Sequence, residues 1–293
     1  MATTILVAGA TGDLGGRIIK ALLNRGAQVR ALVRSVADTA KIAKIEEPGV
    51  KIIPVVNWSG SELASACEGV SCVVSAVQGL RDVIVDAQCL LLDAAISAGV
   101  PRFIPSDFAS DFTKLPAGSN RNFDLRREFN VYLDKSSINA TSIHNGAFAE
   151  LLKYNISFLN FKDKTIGYLG SPDWRVDFST MDNTAAYTAA AALDALAPRV
   201  LRIASFQISA KEMAVVAGEV LKTRFELVNM GTCEALDEKN RRDRAAHPES
   251  EKEIYPNWQR GQYMHSMFSV QLNPLDTSRY PDIRWTSVKE VLL

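Results

Sequence analysis

The octapeptide GATGDLGG, Gly9 to Gly16, is the stretch of this chain whose residue types and spacing most directly imply chemistry. Glycines so spaced let a tight turn take unusual backbone angles and bring backbone N–H groups close to a pyrophosphate. Their setting matters as much as their number. TTILVA, ending at Ala8, reads as a buried strand, and LGGRIIKALLNRG puts Leu14, Ile18, Ile19, Leu22 and Leu23 on one helical face, with Gly26 as its stop. A helix that opens just behind a strand-end turn offers unpaired N–H groups and a positive dipole end to phosphates. A plain structural turn is the alternative; the strand–turn–helix context favours a dinucleotide, held by Gly9, Thr11, Gly12, Asp13, Leu14 and Gly15.

The next strand bears on which dinucleotide. In units of this type an acidic residue roughly 20 positions past the glycines holds the ribose hydroxyls of NAD. Here QVRALVR ends in Arg34, whose guanidinium fork suits a 2′-phosphate and leaves NAD without a carboxylate partner. Lys41 and Lys44 follow and add charge. The expected cofactor is NADP(H), in reduction NADPH; the alternative for Arg34 is a surface charge.

The elements that position these residues alternate. Strands are read at 28–34, 50–56, 71–77, 100–106 and 140–146, with helical patterns between them, the clearest over 83–98 and stopped by Gly99. Such alternation predicts an α/β fold: a Rossmann-type doubly wound parallel sheet whose ligands lie beyond the carboxyl ends of its strands. After about residue 146 the alternation stops. A hairpin-like stretch over 164–170, an alanine-rich helix over 185–197, a strand over 201–208 and a helix over 210–221 follow. The charge-dense segment 237–253 reads as a solvated face, and the aromatic and methionine-rich segment 254–268 as core or as an apolar substrate lid. The division expected is a cofactor-binding domain over 1–150 and a smaller α+β substrate lobe over 151–293, some of whose elements return to the sheet.

Composition narrows the function classes. The 293 residues are 47% hydrophobic and 23% charged, with Lys plus Arg and Asp plus Glu equal at 33 each. A neutral balance argues against nucleic acid or an anionic membrane as partner. The alanine-rich run is too short and too weakly apolar to span a bilayer, and no targeting signal is read before the first strand, so a cytoplasmic location is expected. Cys67, Cys72, Cys89 and Cys233, like His144, His247 and His265, lack a metal-ligand rhythm; no metal is expected.

The glycine loop, Arg34, the run from Ser75 to Phe112 and SIHNGAF (Ser142 to Phe148) resemble the NmrA-like atypical short-chain dehydrogenases. The nearest subgroup is that of the isoflavone and phenylcoumaran benzylic ether reductases. Its R-F-x-P-S-E-F-G signature is matched by RFIPSDFA, Arg102 to Ala109, and the similarity extends through DFSTMDNTAAYTAAAAL to RYPDI. The resemblance implies NADPH-dependent reduction of a small aromatic substrate on a Rossmann domain with a smaller C-terminal lobe. It also implies cofactor contacts from Ala76, Val77, Gln78 and Ser106, and from Asn145 and Gly146 to the nicotinamide. One departure stands out. The subgroup carries lysines, one taken as its general acid/base, in the helix before the sixth strand; here FDLRREFNVYLDK puts Arg126 and Glu128 there. Arginine stabilises negative charge but does not release a proton near neutral pH.

The catalytic candidates are therefore Ser106, Asp107, Arg126, Tyr132 and His144. Ser106 is read as a hydrogen-bonding group for a substrate oxygen or a cap of the following turn. Asp107 is read as a proton shuttle or an ion-pair partner of Arg126. Tyr132 offers a phenol, and His144 is a titrating group or a sheet histidine with its bonds satisfied. Three functions follow: an NADPH-dependent reductase, an NADP(H)-sensing regulator without catalysis, and a lyase or isomerase on the same fold. None of these features requires a homodimer or forbids one.

Overall fold

In the computed structural model, which describes residues 3–37 and 39–293, the alternation of the first half becomes a six-stranded sheet. Its first strands are β1 (Thr4–Ala8), β2 (Gln28–Arg34) and β3 (Val50–Val55), linked through α1 (Asp13–Asn24) and α2 (Thr39–Ala43). After α3 (Gly60–Cys67) come β4 (Cys72–Ser75), α4 (Gln88–Ser97), β5 (Arg102–Ile104), α5 (Arg121–Leu133) and β6 (Asn139–Ala140). The order is β3-β2-β1-β4-β5-β6 with every pair parallel, so the strand order reverses between β1 and β4, the switch point where such sheets bind ligands. Central strands covered on both faces read as unbroken apolar runs: Ile5 to Ala8, Val73, Val74, Phe103 and Ile104 are wholly enclosed. α3 begins in a capping box, Ser59 with Glu62.

The remaining elements are β7 (Ser142–His144), β8 (Ala147–Phe148), β9 (Thr165–Tyr168), β10 (Arg175–Ser179), α6 (Met181–Leu193), β11 (Val200–Arg202), β12 (Phe206–Ser209), α7 (Ala210–Leu221), β13 (Glu226–Asn229), α8 (Cys233–Ala246), α9 (Asn257–Ser269) and α10 (Val288–Leu292). The chain divides into two compact units. The first comprises Met1–Asp107, Leu125–Ile143 and Thr184–Leu201, and the second Phe108–Asp124, His144–Asn183 and Arg202–Leu293. The alanine-rich segment of α6 from Thr184 onward belongs to the first. There Arg102 of the RFIPSDFA run caps its C-terminus, its Nη1 donating to the carbonyls of Ala191 (2.6 Å) and Asp194 and its Nη2 to Thr141 Oγ1 (3.0 Å). The second unit holds β12-β10-β8, antiparallel then parallel, and the pair β13-β9. Its apolar core gathers Phe158, Ile166, Phe178, Ile208, Met213 and Phe268.

Several expectations change in detail. The sixth strand is two: the β5 ladder runs out when Thr141 N–H reaches the Phe103 carbonyl, and the next donor, Ser142 N–H, turns to Arg199. The strand over 201–208 likewise splits into β11 and β12, in different sheets. No hairpin forms over 164–170. The turn lies earlier, where Asn160 and Thr165 exchange both backbone bonds, and β9 then pairs in parallel with β13. The helix over 83–98 starts as a π-helical turn, Asp82–Ala87. In the aromatic segment the inward face of α9 is half polar: Gln259, Gln262 and Ser266 are enclosed beside Trp258 and Phe268. Gln259 donates to Asn120 (2.8 Å), and Gln262 accepts from the Arg121 backbone N–H (3.0 Å). Each amide thus has a partner at hydrogen-bonding distance, although Gln259 Oε1 has none among the described residues, and a polar seam runs within the core.

Candidate functional site

At the switch point the glycines divide the work. Gly9, directly after β1, has φ +77°, and a Cβ there would lie 2.4 Å from the Ala76 carbonyl oxygen behind β4. A Cβ on Gly15 would lie 2.1 Å from the Gly9 carbonyl oxygen, so this glycine lets α1 pack down on the loop. Gly12 differs: it has φ −79°, a Cβ there would meet only the Gly9 oxygen at 3.2 Å, and as N-cap of α1 it brings no side-chain acceptor. The first helical turn therefore opens with N–H groups at Asp13, Leu14 and Gly15 that no intrahelical carbonyl can satisfy. Thr11 and Leu14 are half-buried, and Asp13 accepts from Arg17 Nε at 2.7 Å. N–H groups so placed, at the positive end of a helix, are able to hold an anion.

Arg34 is exposed at the carboxyl end of β2, where its carbonyl accepts from Ala37 N–H (2.8 Å), and Lys41 is exposed on α2. On the far side of β1, Ala76 and Val77 are half-buried and Gln78 exposed. Beyond β5, Ser106 is tied at every polar group. Its N–H donates to Gln88 Oε1 (3.0 Å), its hydroxyl to the Val77 carbonyl (2.7 Å), and its own carbonyl accepts from Arg126 Nε (3.0 Å). Next to it, Asp107 Oδ2 accepts from Ser142 Oγ (2.6 Å) and Asn130 Nδ2 (2.9 Å), both of which are also bonded to Arg199 (2.6 and 2.5 Å). The structure thus gathers Ser106 and Arg126, with Asp107 in an adjoining network. Tyr132 lies apart, on the exposed side of α5, donating to Asp93 (2.8 Å); that bond raises its phenol pKa.

The second unit holds the other candidates. Asp111 and His144 are both enclosed, His144 Nε2 lying 3.7 Å from Asp111 Oδ1 with its ring edge-on to Phe112. Burial works to raise the Asp111 pKa, but His144, the Thr113 hydroxyl and Arg202 Nε at 2.8 Å together hold it below the usual carboxylate value. Asn145 and Gly146 both donate their N–H to the Ala109 carbonyl (2.9 and 3.1 Å). Gly146, with φ +67°, lies so close to Asp177 that a Cβ would be 2.4 Å from its carbonyl oxygen. The Asn145 amide is wholly enclosed, and among the described residues neither its Oδ1 nor its Nδ2 has a hydrogen-bond partner. Asp177 accepts from Gln207 Nε2 (2.6 Å) and Leu272 N–H (2.7 Å), yet burial among neutral donors raises its pKa to about 6. Gln88, Asp111, Asp177, Arg199 and Arg202 escaped the sequence reading. The repeat Ser-Asp-Phe-Ala-Ser-Asp (106–111) was the available signal for a second acid.

Residues 1–230 match the NmrA-like family. This chain belongs to that family. Pinoresinol reductase 2 of Arabidopsis thaliana is 28% identical to it over 319 aligned positions, covering 99% of this chain and 96% of that protein. Pinoresinol reductase 1 of the same plant is 30% identical, but the match spans only 64% of this chain and 63% of that protein. Among solved structures, an isoflavone reductase superimposes with a TM-score of 0.80 at 19% identity, covering 100% of this chain and 99% of its own. The structure of AtPrR2 with NADP+ and (+)pinoresinol gives 0.79 at 22%, covering 100% and 98%. Over the whole length these likenesses establish the α/β fold, a Rossmann-like parallel sheet with a smaller C-terminal mixed region, and they relate the chain to the pinoresinol and isoflavone reductases.

Proposed function

We propose that this protein is an NADPH-dependent reductase of a small aromatic substrate. The observation that carries the reading is the cradle at the switch point. Gly9 and Gly15 are consumed by packing, whereas Gly12 leaves the first turn of α1 open to a pyrophosphate. The family supports it, its relatives being named as reductases. Arg34, at the end of β2, is suited to a 2′-phosphate, with Lys41 adding charge. In the second unit, the buried unpaired amide of Asn145 suits a polar ligand.

Bound NADPH supplies a hydride; the chain must manage the charge. α5 reads RNFDLRREFNVYL and holds no lysine. Arg126 cannot release a proton, but its guanidinium can stabilise an oxyanion while water supplies the proton. Ser106, whose hydroxyl hydrogen is directed at Val77, serves as an acceptor and anchor. Asp107 is held by neutral donors and steadies the loop.

The test is calorimetry of the parent and Arg34→Asp with NADPH and NADH, followed by NADPH oxidation across quinones, enones and aryl ethers. The parent should bind NADPH well above NADH. A charge-assisted fork is worth a few kcal/mol, so Arg34→Asp should weaken NADPH about a hundredfold and spare NADH. Unchanged preference in the variant would leave Arg34 a surface charge. The missing lysine favours one other reading, an NADP(H) sensor, which tight NADPH binding without oxidation of any substrate would establish.

A further inference from the structure

The loop that carries Ser106 is anchored by Gln88, a residue to which the reading above gives no part in binding or catalysis. Gln88, first residue of α4, is 1% exposed, and its amide is held at both ends. Its Nε2 donates to the Ile84 carbonyl (2.6 Å), and its Oε1 accepts the Ser106 backbone N–H (3.0 Å). A carbonyl on one side and an N–H on the other permit only one orientation of the amide. The π-helical turn Asp82–Ala87 lies just before it, and two of its carbonyls take side-chain donors: Ile84 serves Gln88, while Ala87 accepts from Trp58 Nε1 (3.1 Å). The turn is also pressed against the loop behind β4, since a Cβ on Gly79 would lie 2.5 Å from Val83 Cβ. Ser106 Oγ closes the circuit on Val77 of that same loop.

We infer that Gln88 is a positioning residue that presets the loops behind β4 and β5 for the nicotinamide half of the dinucleotide. The inference rests on the cofactor reading above. The sheet order supports the choice of half. Arg34 ends β2 on one side of β1, whereas β4 and β5 lie on the other, so the end of the ligand away from the 2′-phosphate falls to these loops. Setting them before binding removes an ordering cost from the affinity.

Gln88→Met keeps the bulk and removes both bonds. Titrated by calorimetry, it should bind NADP+ about tenfold more weakly than the parent and 2′,5′-ADP, which lacks the nicotinamide half, equally well. A general loss of structure would weaken both ligands alike, and that result, or no change in either, overturns the inference. A parent that binds neither ligand defeats the cofactor reading and this inference with it. A parent that binds both leaves the cofactor reading intact whatever the variant does. Hydrogen exchange in the parent gives a check independent of the variant's folding. The Ser106 amide should be protected before NADP+ is added; rapid exchange there in the free protein would show that the loop is not preset.

Discussion

The switch point of the first unit and the buried acids of the second are held together by different means. Around Gly9, Gly12 and Gly15 the fit is made of backbone: close approaches in which a Cβ on Gly15 or Gly9 would lie only 2.1 or 2.4 Å from a carbonyl oxygen, and N–H groups left over by helix geometry. Around Asp111 and Asp177 it is made of side chains and loop amides from distant segments. Those two aspartates are enclosed to a similar degree, at 0% and 5% exposure, yet their pKa values move in opposite directions. Asp111 has His144 at 3.7 Å and Arg202 at 2.8 Å against it; Asp177 has the neutral Gln207 amide and Leu272 N–H in contact, with the Lys114 charge acting only as the weakest of the influences on it. Burial alone therefore does not set the charge state of an acid. The formal charge of its neighbours does, because a neutral donor returns only part of the lost hydration.

The largest effect that can break this comparison is at Gly12. Gly12→Val should abolish NADPH binding in calorimetry while the melting temperature stays near the parent's, since a Cβ there meets one atom at 3.2 Å. Gly15→Ala should do the reverse first, costing on the order of a few kcal/mol in urea unfolding because α1 must move off the loop. Equal stability of the two variants would mean that the glycines are interchangeable.

Next is Arg126, which joins backbone and side-chain chemistry through its bond to the Ser106 carbonyl. If it stabilises charge on the substrate, Arg126→Ala should lower turnover about a hundredfold to a thousandfold with NADPH affinity nearly unchanged. Turnover equal to the parent's would make it an anchor alone.

Asp111→Ala leaves Arg202 and Lys114 facing a cavity, and should cost about 3 kcal/mol at neutral pH in denaturant unfolding. A loss below about 1 kcal/mol would place this ion pair with ordinary surface pairs.

The smallest and sharpest test is the pH dependence of the two acids. The pKa of Asp111 is lowered by folding, so its contribution is present above the unfolded value of 3.8 and is lost as pH falls through the lower folded value. The pKa of Asp177 is raised to about 6, so its contribution is present below 3.8 and is lost as pH rises through about 6. Relative to the parent, Asp177→Asn should therefore become less costly between about pH 4 and pH 7, by on the order of 2 kcal/mol. Asp111→Asn should become more costly as pH rises from strongly acid toward neutral. Parallel pH profiles for the two variants would show that their neighbours do not distinguish them.

What could be read without coordinates was what local sterics and periodicity dictate. The strand at 28–34 and the helix at 210–221 have the bounds expected of them, because a short apolar, β-branched run between Gln28 and Arg34 and the Ser209–Glu212 capping box are written in consecutive residues. The glycine turn was legible for the same reason, as was Arg34 at its strand end. The tertiary structure decided everything that depends on a partner far along the chain. It split the strand at 140–146 between two ladders and turned Arg102 of the RFIPSDFA run into a cap for α6, 89 residues away. It spent the hydroxyl of Ser106 on Val77 and gave the loop its hold through Gln88. It also separated Asp111 from Asp177, although in the sequence each is simply an aspartate followed by a phenylalanine. A residue's conformational preferences travel with its neighbours in sequence, whereas its charge state and its hydrogen-bond partners belong to the neighbours that folding supplies.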